Sequence, residues 1–485
     1  MNNSVDYKNL AMLCDFYELT MGNGYYTVGM AEKEVVFDLF FRSIPDKGGF
    51  AICAGLSQAI EYMQNLSFSE DDIAYLSSTG VFDAGFLDYL KTFRFACDVW
   101  AIPEGTPIFP QEPIMIVRGP AIQAQLLETM LLLTINHQSL IATKSNRIVR
   151  AAEGRPIMEF GARRAHGAGS SLYGARAAYI GGCSSTSCTL ASKNFGIPFS
   201  GTMAHSWVQI FDSEYEAFKK YSEVFPDAVV LLVDTYSVLS SGIPNAIKCF
   251  NEVLKPLGKR PVGIRIDSGD VTYLSQKARQ MLDDAGYPDC RIVISNSMDE
   301  YLIRDTLLQG AKIDSFGVGE RLITSKSDPV FGGVYKLSAV SGEDGIIQPK
   351  IKISANVSKI TIPHFKNVHR LYSKSNGRKA IADVISLHDE RIDESKPFEL
   401  FHPEFTWKRK MVEDFEVKTL LVPIFEKGKL VYSEPSLAEI RAHCAAEVDR
   451  LWDEVKRFEN PHEYYVDLTK PLWDVRAEML ERRGE

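Results

Sequence analysis

The chain has 485 residues and a mass of 54.3 kDa. That length suits roughly two to four domains with sizeable cores. Hydrophobic residues make up 45%, charged residues 24%, and the mean hydropathy is -0.10, an ordinary globular balance. The 54 basic and 63 acidic side chains leave a net charge of -9. This argues against a protein that coats nucleic acid or a membrane surface, while leaving room for a local basic pocket.

The opening stretch MNNSVDYKNLAML lacks the basic-then-apolar order of a secretion signal. No apolar run approaches the roughly 18 residues of a membrane helix. The eight cysteines are scattered without a CxxC, so free thiols in a reducing cytoplasm are expected. Cys183 and Cys188 lie close in CSSTSC, but no further ligands stand nearby, and a zinc site is not expected.

Residues 1–122 mix element types. LAMLCDFYELTMGNGYYTVG has helical spacing at Leu13, Phe16, Tyr17 and Met21 and is expected to break at its glycines. EVVFDLFFRSI reads as a strand, and GGFAICAGLSQAIEYMQNL as a strand running into a helix. SEDDIAYLSST opens with a serine cap and acids in its first turn, a helix start. CDVWAIPEGTPIFPQEPIMIVRGP is strand and turn punctuated by proline. The run from Ala121 to Ala152 is a long buried helix or a broken pair.

From residue 156 the texture is regular. PIMEFG, IGGCSS, FSGTM, VVLLVD, VGIRID, RIVISN and IDSFGVG read as strands alternating with helical stretches. Such alternation predicts βα units, parallel strands and right-handed crossovers. The fold class expected is α/β, an irregular or incomplete βα barrel over 123–331. After residue 330, GGVYKLSAV, KIKISA, NVHRLYS and KAIADVISL look antiparallel and are expected to complete the N-terminal sheet, making an α+β domain of 1–122 with 332–420. Residues 421–485 read as a helical region, with Leu437, Ile440, Cys444, Val448, Leu451 and Val455 along one apolar face.

In a βα barrel, chemistry sits at the carboxyl ends of the strands. There stand Arg163, Arg164 and His166; then His205; Asp234 and Thr235; Asp267 and Asp270; Ser295 and Asn296; and Gly317, Gly319 and Arg321. Each has an ordinary reading: a solvated arginine pair, a packed histidine, or Asp270 as a helix N-cap. Together they make a rim suited to a phosphorylated sugar. The Gly317–Gly319 turn offers backbone N–H groups to a phosphate, with Ser295 and Asn296 as added donors. Asp267 and Asp270 suit sugar hydroxyls or metal-bound water, and the arginine pair suits a carboxylate or a diphosphate.

FGARRAHG, GTMAHSWV, VDTYSVLSSGI, IRIDSGD, ISNSMDE and FGVGERLIT, with GGVYKL after them, resemble in order and spacing the motifs of the nicotinate phosphoribosyltransferase family. CDFYELTMGNGYY and HEYYVDLTKPLWDVR are similar to that family's terminal segments. The resemblance implies transfer of a phosphoribosyl group from 5-phosphoribosyl 1-diphosphate to nicotinate, giving nicotinate mononucleotide and diphosphate in NAD salvage. It implies ATP hydrolysis coupled through a phosphorylated His205, with Thr202 beside it, and Mg2+ held through substrate phosphates rather than by protein ligands alone. It implies that Arg163 or Arg321 reads the nicotinate carboxylate, and that Tyr17 meets the pyridine from a second subunit of a homodimer. Lys144 and Arg147 are further candidates for the anionic groups, or an ordinary basic helix face. Glu320, His166 and GGCSSTSC depart from the family pattern. A nicotinamide phosphoribosyltransferase and, more remotely, a phosphate-binding barrel isomerase or lyase are the alternatives.

Overall fold

The computed structural model describes residues 10–356 and 359–482. The chain divides into two compact units: Met1–Leu140 with Val330–Glu485, and Ile141–Pro329.

In the first unit, a seven-stranded antiparallel sheet is built around Glu34–Phe41. EVVFDLFF is β-branched and aromatic, and every residue from Val35 to Phe41 is buried. On one side it pairs with Met115–Pro120, on the other with Gly333–Ser341. Asp38 is the polar exception, and Lys366 Nζ meets it at 2.6 Å. The helix Phe16–Thr27 passes through both of its glycines, contrary to the expected break. Asp15 and Glu18 form a capping box at its start, and Tyr26 packs on Phe86 and Tyr89 near its end.

The later segments divide their loyalties. Gly333–Ser341 joins the N-terminal sheet, but Lys366–Ser373 and Ala380–Leu387 form a separate four-stranded sheet with Phe415–Thr419 and Val466–Leu468. KIKISA forms no strand: the Lys350 N–H still reaches the Ser338 carbonyl of Gly333–Ser341, but the Lys352 N–H turns to the Thr361 hydroxyl. The N-terminal sheet is extended instead by Val422–Glu426 and Lys429–Leu430. The C-terminal apolar stripe is helical over Leu437–Asp449, while Leu451 and Val455 are buried beyond its end.

In the second unit, six strands form a wholly parallel sheet in the order Ser185–Thr186, Ile157–Glu159, Ser315–Val318, Arg291–Ile294, Gly263–Ile266 and Val230–Leu232. Helices such as Val271–Asp284 and Glu300–Leu308 make the crossovers. Among the described residues the sheet is open and no barrel closes. The seventh expected strand, FSGTM, is a loop whose backbone pairs with the sheet at an isolated bridge between Phe199 and Thr186. The Thr186 N–H donates to the Pro198 carbonyl and the Ser200 N–H to the Thr186 carbonyl, but the Ser187 N–H turns to the Glu159 carbonyl and the pairing ends. Gly242 lets the next helical segment press on the sheet edge, since a Cβ there would lie 1.9 Å from the Val233 carbonyl oxygen. Among the described residues, no helix is long and apolar enough to cross a membrane.

Candidate active site

Parallel strands bring their carboxyl ends to one edge of a sheet. Val230–Leu232 runs on to Asp234 and Thr235, Gly263–Ile266 to Asp267, and Arg291–Ile294 to Ser295. His205 does not follow a strand; it opens the short helix His205–Gln209. That loop carries its imidazole to the same edge. His205 Nδ1 lies 3.1 Å from Thr235 Oγ1. Its Nε2 lies 3.9 Å from Asp234 Oδ1 and 3.8 Å from Asp267 Oδ2. The side chain is 40% exposed, whereas Asp234 is 1% exposed. A histidine buried for packing would lack that access.

Arg265 ties the edge together. Its Nε donates to Ser295 Oγ at 2.6 Å, its Nη1 to Thr202 Oγ1 at 2.8 Å, and its Nη2 to Asp267 Oδ1 at 3.0 Å. Ser295 Oγ also donates to Asp267 Oδ1 at 2.5 Å. Asp234 Oδ2 accepts from the Asp267 backbone N–H at 2.9 Å and from Ser268 Oγ at 2.6 Å, while its Oδ1 is buried with no hydrogen-bond partner. Arg265 was not singled out from the sequence. Its signal was there: a cation inside the apolar strand GIRI, where a charge must find partners. Asp234 and Thr235 were noted at their strand end without a role.

The remaining expected residues divide. Thr202, Asp267 and Ser295 are hydrogen-bonded together through Arg265, and His205 lies beside them with its Nε2 3.8 Å from Asp267 Oδ2. Asp270 caps the helix Val271–Asp284, accepting from the Tyr273 N–H at 2.8 Å. Asn296 is exposed and accepts from the Ser297 N–H at 2.8 Å. Gly317 and Gly319 do not adopt positive φ, contrary to the expected phosphate turn. Gly317 lies in a strand, where a Cβ would approach the Phe160 ring to 2.4 Å, so ring packing explains it.

Arg163 and Arg164 are exposed on the turn Ala162–Arg164. Arg164 Nε stands 3.9 Å from Glu320 Oε2. Glu320 also pairs with Lys326 at 2.7 Å, which holds its carboxyl below the usual range. Arg321 Nη1 is bonded to Asp299, while its Nε is buried without an acceptor. His166 is exposed. Thr186, from the departing CSSTSC segment, donates to the buried Glu159, whose carboxyl burial pushes up. Lys144 and Arg147 are no solvated basic face: at 2% and 3% exposure they meet Glu300, at 2.9 and 2.8 Å. Tyr17 lies on the first unit's helix, 42% exposed, with its phenol pushed up by burial and by Glu128.

Among the described residues, no three His, Cys, Asp or Glu side chains cluster as a metal site. Asp267 keeps an exposed oxygen at the edge and Asp234 a buried one without a partner just behind it, carboxylates of the kind that fit Mg2+ shared with substrate phosphates.

A parallel sheet with acids, an arginine, hydroxyls and an accessible imidazole at its carboxyl edge is the architecture of an α/β enzyme acting on a small polar substrate. Family models place this chain further. The nicotinate phosphoribosyltransferase N-terminal domain matches residues 12–136, the family domain 156–371, and the C-terminal domain 365–476. A nicotinate phosphoribosyltransferase of Bacillus subtilis is 44% identical, over 97% of this chain and 95% of its own length. The Homo sapiens one is 31% identical over 95% of each. A crystal structure of human nicotinic acid phosphoribosyltransferase superposes with a TM-score of 0.84 at 29% identity, covering 96% of this chain and 100% of its own. The chain belongs to the nicotinate phosphoribosyltransferase family.

Proposed function

We propose that this chain transfers the 5-phosphoribosyl group of 5-phosphoribosyl 1-diphosphate to nicotinate, releasing diphosphate, and that ATP drives the step by phosphorylating His205. Family membership supports the transfer, and a role in NAD salvage follows from it. The observation that carries the ATP coupling is the accessible His205 ring, held at Nδ1 by Thr235 and flanked at Nε2 by two carboxylates. If Nδ1–H donates to Thr235, the Nε2 lone pair faces outward as a nucleophile.

Asp234 and Asp267 orient the ring electrostatically, and Asp267 is itself fixed by Arg265 and Ser295. Two carboxylates also repel an approaching phosphoryl group. Mg2+ bound with the phosphates would offset that charge and ease departure of diphosphate. Transfer then needs no protein nucleophile: the pyridine nitrogen attacks an oxocarbenium-like carbon. Arg163 is the favoured reader of the nicotinate carboxylate, because it pairs with no acid among the described residues, whereas Arg321 is bonded to Asp299. Asn296, Asp270 and the backbone of Gly317 and Gly319 remain proposed contacts for the phosphoribosyl donor, and Arg164, Lys144 and Arg147 for its anionic groups.

A homodimer is proposed in which the segment of Tyr17 meets a second copy; Leu13, Phe16 and Tyr17 expose apolar surface along it. The eight free cysteines support a cytoplasmic location.

The test is turnover of nicotinate and nicotinamide side by side, with and without ATP, in the parent and in His205→Ala. The parent is expected to prefer nicotinate and to be stimulated by ATP. The variant is expected to keep ATP-independent transfer and lose all ATP hydrolysis. Hydrolysis at the parental rate in the variant would rule out His205 as the phosphate acceptor.

A further inference from the structure

A second concavity, of about 1090 Å³, lies in the unit of Met1–Leu140 and Val330–Glu485 and is lined by that unit alone. None of the residues assigned above to catalysis or substrate binding lines it. Its size is at the upper end of pockets that hold drug-sized ligands, about 300–1,000 Å³.

The lining has three chemistries. Ile362, Ile385, Leu400 and Leu468 make an apolar wall. Lys47, Lys408, Arg409, Lys410 and Arg476 bring five cations against the acids Glu404, Glu463 and Asp467. Arg409 is committed to Glu399 at 2.8 Å, but Arg476 keeps a buried Nε with no acceptor. Burial lowers the Arg476 guanidinium, with Glu404 as the acid that acts against the shift. Asp467 is 5% exposed and has no side-chain hydrogen-bond partner among the described residues; burial pushes its carboxyl up to about 6. A half-buried guanidinium with one buried, unsatisfied N–H and an acid with no protein hydrogen-bond partner line the same cavity, where a ligand could satisfy both. Lys47, Gln111 and Asn460, also in the lining, hold left-handed backbone at φ 50°, 71° and 45°. Such strain gathers where a ligand is clamped.

We propose that this cavity binds a small organic anion that also carries hydroxyl donors on an apolar or aromatic body, the chemical class of a nucleoside monophosphate. The phosphate meets Arg476 and the lysine rim. A pair of sugar hydroxyls donates to Asp467, as ribose hydroxyls do to acids elsewhere. The ring lies on the apolar wall.

Hydrogen exchange of the full chain, read by mass spectrometry with AMP as probe, separates this cavity from the catalytic edge. AMP is expected to slow exchange in segments 402–411 and 460–476, by about tenfold at roughly ten times its Kd. Adenosine alone and inorganic phosphate alone are each expected to protect those segments much less. Arg476→Gln and Lys410→Glu are expected to abolish or weaken that protection while sparing any around 200–205 and 265–270. Lys410 is exposed, so its exchange for Glu leaves the fold intact and keeps the test decisive if Arg476→Gln unfolds. Protection confined to 200–205 and 265–270, or unchanged in both variants, overturns the proposal. So does equal protection by phosphate alone.

Discussion

Arg370 and Arg265 are both buried strand arginines, one in each unit, and their surroundings differ. Arg370 is 0% exposed; Asp383 accepts from its Nε and Nη2 at 2.7 and 2.6 Å, and the Pro107 carbonyl accepts from Nη2 at 2.8 Å. Asp383 is closed on its far side by the Tyr464 hydroxyl at 3.0 Å. Glu112, beside it, is pushed well above the carboxylate range by burial and by Asp383. Arg265 bonds an acid too, but Asp267 keeps 31% exposure and turns Oδ2 toward His205. The lesson is about what a buried charge is for. Where all partners are protein and no surface is left, the pair holds elements together. Where one oxygen of the acid stays open beside an imidazole, the same pairing is free to position the ring proposed to react.

The largest effect is expected when the closed cluster is broken. Arg370→Met leaves Asp383 buried beside Glu112 and Glu447, and should destabilise the protein by about 3–5 kcal/mol. Urea unfolding measures it, and activity per folded molecule should hold. Arg265→Lys, on the open side, keeps the charge but loses the fork to Thr202, Ser295 and Asp267. It should lower kcat/KM by an amount equivalent to about 1.5–3 kcal/mol, with a smaller change in unfolding. If the two variants behave alike, the contrast fails.

Arg163→Ala should raise the KM for nicotinate by roughly tenfold, the scale of one charge-assisted hydrogen bond, and more than Arg321→Ala does. Steady-state kinetics with varied nicotinate decides between them. The smallest effect concerns Asp467. Its carboxyl titrates near 6 when folded and near 3.8 when unfolded, so between those values the native state binds more protons. Stability from this group therefore falls as pH rises through that window. Asp467→Asn should be more stable than the parent at pH 7.5, and the difference should shrink toward pH 4. A pH-independent difference would show that burial of the charge is not the cause.

The strands of the parallel sheet were legible because short apolar runs bounded by turn residues mark buried strands wherever they occur. FSGTM failed because, past one bridge to Thr186, its Thr202 hydroxyl and Met203 carbonyl are taken by the Arg265 side chain rather than by a strand. KIKISA failed because alternation names a strand without naming its partner. The family motifs contain His205, Thr202, Asp267 and Ser295, and the structure brings these four to one edge. The sequence already offered Asp270 as a helix cap, which it is; it did not reveal that Gly317 answers to the ring of Phe160. Lys144 and Arg147 looked like a helix face because their acid, Glu300, lies more than 150 residues along the chain.

By itself, the sequence determined the parallel α/β texture of one unit, the capped helices and the strand ends where polar groups fall. These depend on periodicity and caps, which are settled within a few neighbouring residues. Tertiary structure alone decided that the sheet stays open, that Lys366–Leu387 builds its own sheet, and that Asp234 and Asp267 both face His205. Those outcomes rest on pairings across 30 to more than 60 residues, as between His205 and Thr235 or Thr202 and Arg265. No local pattern encodes which distant partner will satisfy a buried charge; that is decided when the chain closes and most buried polar groups find one.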